Sequence, residues 1–286
     1  PYLSRGLGDV YKRQLLSEIY STDLVRVVEG SHPRAMDISS LPFNHLVFTG
    51  SPKSGKVIMA NAAKNLTPVT LELGGKSPVI VFDDFDIELA AQRVAHGKGF
   101  NSGQICIAPD YAFVPEDKVE RFVTAVSHAH KAMYKSIRGN HDYTSLIDDA
   151  QAQRFQELLE DARRKGAIIT QCSEDGEGRK TPLFIATHLT PEMRICQEEI
   201  FGPLLPVHGY QNLEQVIHYI NQRPRPLACY LFSHDQQQRE MLLARTHSGG
   251  VTINDWGWHV LNHSVPFGGV GTVSYTHLTL PTKCWG

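Results

Sequence analysis

The sequence predicts an α/β protein built on a largely parallel sheet, and two observations carry this prediction. Short runs of β-branched and aromatic residues alternate with longer segments that repeat apolar residues at helical spacing. Glycine and proline stand at several of the changeovers, as expected for turns and loops. Strands that alternate with helices are joined by crossover connections, which favour a parallel sheet covered by helices.

The first half of the chain contains a strand–turn–helix unit, then two strands and another helix. The run HLVFT is closed by Gly50, and the segment after it repeats apolar residues at helical spacing. Asp86 is predicted to cap a helix, because its side chain can accept from free N–H groups of the first turn. The predicted strands are Leu24–Glu29, His45–Thr49, Val69–Leu73 and Pro78–Phe82, and the predicted helices are Lys53–Lys64 and Ile87–Phe100.

The second half continues the alternation with longer helices. Three apolar runs of strand length are separated by four segments of helical pattern, and no internal repeat or low-complexity tract interrupts them. The predicted helices are Lys118–Tyr134, Ala150–Lys165, Leu213–Asn221 and Gln236–Arg245, and the predicted strands are Tyr111–Val114, Leu227–Phe232 and Gly250–Asn254.

Composition narrows the class of protein. Of the 286 residues 41% are hydrophobic and 20% are charged, and 28 Lys and Arg against 30 Asp and Glu give a net charge of −2 at pH 7. This balance argues against a nucleic-acid-binding surface, and no apolar stretch approaches the about 18 residues of a membrane span. Five cysteines without C-x-x-C spacing fit a reducing compartment, so a cytoplasmic protein is expected.

The two ends differ from the rest of the chain. Residues 1–14 and 273–286 show neither apolar periodicity nor the order of charged, apolar and small residues that is typical of a targeting signal. Both resemble translated sequencing-adapter peptides. We therefore expect them to be non-native tails, and we expect the natural protein to continue past both.

The first candidate for chemistry is the segment Gly50–Gly55 (GSPKSG). It lies between a predicted strand and a predicted helix, where free N–H groups attract an anion such as phosphate, and a plain turn is the alternative. Gly50–Lys56 also fits the G-x-x-x-x-G-K motif of nucleoside triphosphatases. Val57 stands where that motif needs Ser or Thr to hold magnesium, so the triphosphatase interpretation is disfavoured.

Two further candidates are Cys106 and Glu72. Cys106 lies in the glycine-bearing segment NSGQIC, which a substrate carbonyl could approach, and a packed structural cysteine is the alternative. Glu72 is a lone carboxylate in the apolar run VTLEL, so it is either a buried candidate for a general base or a residue that strand alternation points outward. Apart from His128 and His130, the histidines show no metal-ligand spacing, and no metal site is predicted.

Five motifs follow one another in a characteristic order. They are Phe48–Ser51 with Gly55, Leu71–Ser77, Gly103–Cys106, Glu198–Pro203 and Pro266–Gly271. Their order and spacing, including the 34 positions from Glu72 to Cys106, resemble the NAD(P)-dependent aldehyde dehydrogenase superfamily from about Asp23 to Gly271. Within it, Leu41–Ser51 and Gly103–Tyr111 resemble the coniferyl aldehyde dehydrogenase branch.

The resemblance implies a reaction and its residues. Cys106 would be the nucleophile that forms a thiohemiacetal with an aromatic, coniferyl-like aldehyde, and Glu72 would be the base for hydrolysis of the thioester. The cofactor would be NAD or NADP. The implied cofactor-binding residues are Gly50, Ser51 and Gly55 at the pyrophosphate, Leu73 and Phe201 at the nicotinamide, and Glu199 on the nicotinamide ribose.

The resemblance also implies a domain organisation. We expect a partial Rossmann-like NAD(P)-binding domain over residues 15–72, a catalytic domain over 73–250 and a segment returning to the coenzyme domain over 251–272. The whole protein is expected to be a homo-oligomer. This chain lacks the upstream strands and the oxyanion-binding Asn of the family, so we expect it to turn over poorly. Two alternatives stay open: a cofactor-independent cysteine esterase or thioesterase, and an inactive fragment in which Cys106 is merely packed.

Overall fold

A computed structural model of the chain describes residues 2–30, 36–174, 176–264 and 267–269, with side chains from residue 11 onward. The described residues fall into two compact units. One consists of the residues up to Leu46 together with Lys56–Val69, and the other of Val47–Gly55 together with the residues from Thr70 onward. Pro266, Val270 and Gly271 of the last predicted motif, and the predicted tail 273–286, lie outside the described residues.

The smaller unit holds helix α1 (Tyr2–Ile19) and most of helix α2 (Pro52–Ala63). Helix α1 forms where the sequence shows no apolar periodicity, in a segment rich in the helix formers leucine, lysine and arginine. Loop contacts within this unit include a hydrogen bond from Asn61 Nδ2 to Ser39 Oγ at 3.0 Å and one from Thr67 Oγ1 to the Phe43 carbonyl at 3.0 Å.

The predicted strand Leu24–Glu29 is wrong. The prediction rested on the run of β-branched residues in LVRVVE, whose side chains alternate between exposed and half-buried in the structure. A strand also needs the backbone ladder of a neighbour, and in the described part of the chain no strand pairs with this segment. A run of β-branched residues is therefore not sufficient to predict a strand here.

The larger unit contains two sheets. Strands β1 (Leu46–Gly50) and β2 (Val69–Leu73), which lie almost wholly within it, form a two-stranded sheet. The main sheet has seven strands: β3 (Pro78–Val81), β4 (Tyr111–Pro115), β5 (Ile168–Gln171), β6 (Phe184–Thr187), β7 (Leu204–Tyr210), β8 (Ala228–Phe232) and β9 (Gly250–Ile253). Their order is β5-β6-β7-β4-β3-β8-β9, and every pair is parallel except β5 with β6.

Six helices of the larger unit connect these strands. They are α3 (Ile87–Gly99), α4 (Val119–Met133), α5 (Asp149–Arg164), the single-turn α6 (Arg194–Gln197), α7 (Leu213–Asn221) and α8 (Gln236–Arg245). The predicted cap of α3 is confirmed, because the Asp86 carboxylate accepts from the Leu89 N–H at 2.7 Å. Asp148, Asn212 and Asp235 cap α5, α7 and α8 in the same way.

Both faces of the sheet are covered, which is why its central strands are apolar throughout. Val79 and Val81 of β3 belong to the core that includes α3 and α4, whereas Ile80 of the same strand packs in a core with α7. The alternation follows from the two-residue period of a strand. The predicted α/β class with a mostly parallel sheet is thus confirmed, and β5, β6 and β7 are elements that the sequence patterns did not predict.

Candidate active site

The candidate residues meet at one edge of the main sheet. Strands β3, β4 and β7 are adjacent and parallel, so all three begin at the same edge. The motif around Gly75 immediately precedes β3, the Cys106 loop precedes β4, and Glu199 precedes β7. The topology therefore brings together three segments that are far apart in the sequence.

Hydrogen bonds of Gln104 hold the Cys106 loop. The Gln104 amide donates from Nε2 to the carbonyls of Asn101 and Ser145, both at 3.1 Å, and its Oε1 accepts from the Ile147 N–H at 2.9 Å. On the other side of the cysteine, the Tyr230 hydroxyl donates to the Ile107 carbonyl. The backbone on both sides of Cys106 is thus held in place, as a preorganised site requires.

Gly103 makes the sharp turn ahead of Cys106 possible. Its φ is +70°, and a Cβ there would lie 2.6 Å from the Gly202 carbonyl oxygen, so only glycine fits. Asn101 and Ser102 also have left-handed φ values, of 50° and 53°. This strained turn brings the Cys106 loop against the segment that carries Phe201, and strain of this kind is typical of functional sites.

Cys106 is the accessible cysteine among those that the structure describes. It is half-buried, whereas Cys172, Cys196 and Cys229 are buried. Burial is the main cause that raises the pKa of its thiol, and the charges of Glu199 and Glu72 raise it further, while backbone N–H groups of Cys106 and Ile107 oppose the rise. Both glutamates therefore lie close enough to act on the thiol.

Alkylation tests this difference in accessibility. Iodoacetamide at about pH 8 is expected to modify Cys106 well before Cys172, Cys196 and Cys229. Because the Cys106 pKa is raised, its rate of alkylation should still climb with pH above about 8.5, where a free thiol is already half ionised. Peptide mass spectrometry assigns each site, and equal labelling of all four thiols in the folded chain would contradict the prediction.

Glu72 lies on β2, between two buried leucines. Leu71 and Leu73 are buried, whereas Glu72 is half-buried and so projects from the opposite face of the strand. The charge of Glu72 contributes to raising the pKa of Cys106, so the two side chains lie within electrostatic range of each other.

The Glu199 carboxylate lies against the backbone at the end of β2. A Cβ on Gly74 would overlap this carboxylate, so the close approach requires glycine. Burial first, and then the charge of Asp110, raise the pKa of Glu199 to about 8, while a hydrogen bond from the Gly75 N–H and the charges of Lys76 and Lys98 work against the rise. Glu199 is therefore a half-buried acid within electrostatic range of the candidate nucleophile.

The predicted phosphate-binding segment lies next to the Gly74 region. Ser51 Oγ accepts from the Ser54 N–H at 3.2 Å, which caps the first turn of α2, and Ser51 is exposed. Gly50 ends β1, the partner of β2, and a Cβ on Gly55 would lie 2.8 Å from a methyl group of Leu73. Gly50, Ser51, Gly55 and Leu73 are thus neighbours at an accessible helix N-terminus.

Phe201 and its surroundings complete the set of predicted residues. The Phe201 side chain is 39% exposed, and its φ of 48° sets it apart from the regular strand that follows. Four further residues hold these segments but were not predicted from the sequence, namely Lys76, Gln104, Asp110 and Arg154. Lys76, Gln104 and Asp110 stand out in the sequence only as polar residues in apolar or glycine-rich stretches, and Arg154 is one of many polar residues of α5, so none of them by itself indicates a partner.

An aromatic groove opens beside the Cys106 loop. It has a volume of about 1610 Å³ and runs between α3, α4 and residues 255–261, and Ile105 and Ile107, on either side of Cys106, line it. Aromatic rings form one wall: His96, Phe100 and Trp256 lie with ring centroids 5.6 to 6.1 Å apart. The groove therefore suits a flat apolar ligand.

The fold and the site together define an α/β protein with a cysteine-centred site at the amino ends of parallel strands. The profile of the aldehyde dehydrogenase family matches residues 22–279, and the chain belongs to this family. No helix in the described part of the chain is both long and apolar enough to cross a membrane.

Relatives and solved structures agree with this assignment. The chain is 46% identical over 265 residues to the Pseudomonas aeruginosa protein named "Probable coniferyl aldehyde dehydrogenase". The matched region covers 93% of this chain and 56% of that protein. It is 44% identical over 256 residues to coniferyl aldehyde dehydrogenase of Pseudomonas sp. strain HR199. That match covers 87% of this chain and 53% of the relative. The chain thus spans about half the length of these curated relatives.

Two solved structures from Staphylococcus aureus show the same fold. AldH in its substrate-bound state superposes with a TM-score of 0.85 at 35% identity, covering 93% of this chain and 58% of that one. A betaine aldehyde dehydrogenase in complex with NAD+ superposes with a TM-score of 0.76 at 29% identity. The match covers 84% of this chain and 50% of that one.

Proposed function

We propose that the protein oxidises aldehydes to carboxylic acids with NAD(P)+, using Cys106 as nucleophile and Glu72 as general base. The observation that carries the proposal is that the Glu72 and Glu199 carboxylates both lie close enough to Cys106 for their charges to act on its thiol, with Glu199 packed against Gly74 at the end of β2. Membership of the aldehyde dehydrogenase family supports it.

The chemistry of the two residues follows from their types and positions. The Cys106 thiolate adds to the aldehyde carbon, and the backbone N–H of Cys106 can donate to the oxyanion that develops on the carbonyl oxygen. NAD(P)+ bound at this site would supply the acceptor for the hydride that leaves that carbon. Glu72 then takes a proton from water, the water oxygen attacks the acyl carbon, and the bond to Cys106 Sγ breaks to release the acid.

The residues present fit a dinucleotide. The N-terminus of α2 offers backbone N–H groups beside the exposed Ser51, which suits a pyrophosphate. The missing side chain at Gly74 leaves room for the Glu199 carboxylate, which can accept from ribose hydroxyls. Gly50, Ser51 and Gly55 would hold the pyrophosphate, and Leu73, Glu199 and Phe201 would hold the nicotinamide riboside.

The groove supports an aromatic aldehyde as substrate. Its wall of His96, Phe100 and Trp256 can stack against a phenyl ring, and the groove reaches the residues that flank Cys106. The relatives named as coniferyl aldehyde dehydrogenases point to the same class. We further propose that the whole protein is a homo-oligomer and that residues 15–72, 73–250 and 251–272 are its coenzyme, catalytic and returning segments.

Reduction of NAD+ or NADP+ by aldehydes tests the proposal. The gene recovered at full length should reduce the cofactor with a coniferyl-like aldehyde several-fold faster than with a short aliphatic one, because only the former has a ring that can stack on the aromatic wall of the groove. This chain alone, assayed beside it, is expected to be much slower. Hydrolysis of nitrophenyl esters without any cofactor reduction would instead favour a cysteine esterase.

A further inference from the structure

Two charged side chains hold the segment that carries Glu199. Lys76 Nζ donates to the carbonyl of Ile195 at 2.8 Å and to that of Glu198 at 3.1 Å. Asp110 Oδ1 accepts from the N–H of Ile200 at 2.9 Å. The peptide groups on both sides of Glu199 are therefore fixed by side chains from other parts of the sheet edge.

Lys76 and Asp110 are also an ion pair. Lys76 Nζ contacts Asp110 Oδ2, and the two side chains are only 11% and 3% exposed. Lys76 follows Gly75 at the start of β3, and Asp110 stands four positions after Cys106, just before β4. The pair thus links all three segments of the candidate active site.

Such a pair needs an explanation other than stability. Burying two charges carries a desolvation cost that their attraction often only offsets, so apolar residues of similar size would hold a core at least as well. Here each charged group also satisfies backbone groups of residues 195–200. An apolar pair could pack in the same space, but it could not fix the direction in which Glu199 leaves the backbone.

We propose that Lys76 and Asp110 are positioning residues, which hold the 195–200 segment so that the Glu199 carboxylate stays at Gly74 and Gly75, beside Cys106. The meaning of this position for catalysis rests on the proposed function, since Glu199 is the residue proposed to accept from the cofactor ribose. The position itself is a property of the chain and can be measured without cofactor.

The thiol of Cys106 reports where the Glu199 carboxylate lies. Among the charged groups that raise the pKa of Cys106, Glu199 has the largest effect. A change at Lys76 that frees the segment and moves Glu199 should therefore reach Cys106 through Glu199. This is a coupling that a double-mutant cycle can isolate.

The experiment measures the rate of Cys106 alkylation against pH in this chain, for wild type, Lys76→Met, Glu199→Gln and the double variant. Both single variants are expected to lower the apparent pKa of Cys106 by about half a unit, which is about a threefold faster reaction near pH 9, where Glu199, with a pKa of about 8, is ionised. In the double variant, Lys76→Met should add nothing to Glu199→Gln. Lys118→Met is the matched control, because Lys118 likewise contacts a carboxylate and a carbonyl, those of Asp83, and its rates should equal those of wild type.

Lys76→Arg keeps the test decisive if Lys76→Met does not fold. Arginine retains the charge, but its planar fork cannot place one donor between the same two carbonyls, so a smaller shift in the same direction is expected, again absent beside Glu199→Gln. Equal effects of the Lys76 change with and without Glu199, or no effect of Glu199→Gln at all, would overturn the proposal. Because alkylation needs no turnover, this outcome is separate from the presence or absence of dehydrogenase activity.

Discussion

Cys106→Ala in the full-length gene product reduces aldehyde-dependent formation of NAD(P)H to below about one part in 10⁴ of the wild-type rate. Alanine leaves no atom to bond to the aldehyde carbon, and nucleophiles of covalent enzymes account for rate factors of up to about 10⁶. The measurement is the initial rate of absorbance at 340 nm, with enzyme concentration raised until the background limits it.

A second cysteine provides the control. Cys229 is a buried thiol on β8, in a different core from the one that Cys106 contacts, and Cys229→Ala should keep the wild-type rate within about twofold. Unfolding curves of both variants show whether the fold is retained. If Cys106→Ala keeps more than a tenth of the activity while folded, Cys106 is not the nucleophile, and the packed-cysteine interpretation gains support.

The helices show which structural features local sequence patterns can predict. The bounds of α7 and α8 agree with the prediction at both ends, because each begins after a side chain that caps it, Asn212 or Asp235. Strand β7 was missed although it lies in the middle of the sheet, since proline, histidine and glycine interrupt its sequence LLPVHGY. Its position in the sheet is determined by pairing with β4 and β6, and these contacts between distant segments cannot be predicted from local sequence patterns.

The candidate site could likewise be predicted from the sequence only in part. The residue types around Cys106 and Glu72 could be picked out from the sequence, because chemistry restricts which side chains serve as nucleophile and base. Of the adjacent Glu198 and Glu199, only the structure shows that the first pairs with Arg154 and Arg194 while the second turns to Gly74. Nothing local in the sequence separates them, because their partners come from distant segments.

Glu72→Gln is expected to slow steady-state turnover by about 10²- to 10⁴-fold, the usual contribution of a general base, while the first turnover remains. Glutamine keeps the shape of the side chain but cannot take a proton from water. The acyl group should therefore form on Cys106 and stay there. Rapid mixing should show a burst of NAD(P)H close to one equivalent per site, followed by a slow phase.

Hydroxylamine separates this role from any other role of Glu72. It attacks a thioester without help from a base, so it should restore turnover of Glu72→Gln and yield the hydroxamate, while changing the wild-type rate little. Glu160→Gln, an exposed carboxylate on α5, is the matched control and should behave as wild type. A variant that shows no burst and no rescue would mean that Glu72 acts before the acyl group forms, on the Cys106 thiol whose pKa its charge already raises, and the assignment of Glu72 to hydrolysis would then be wrong.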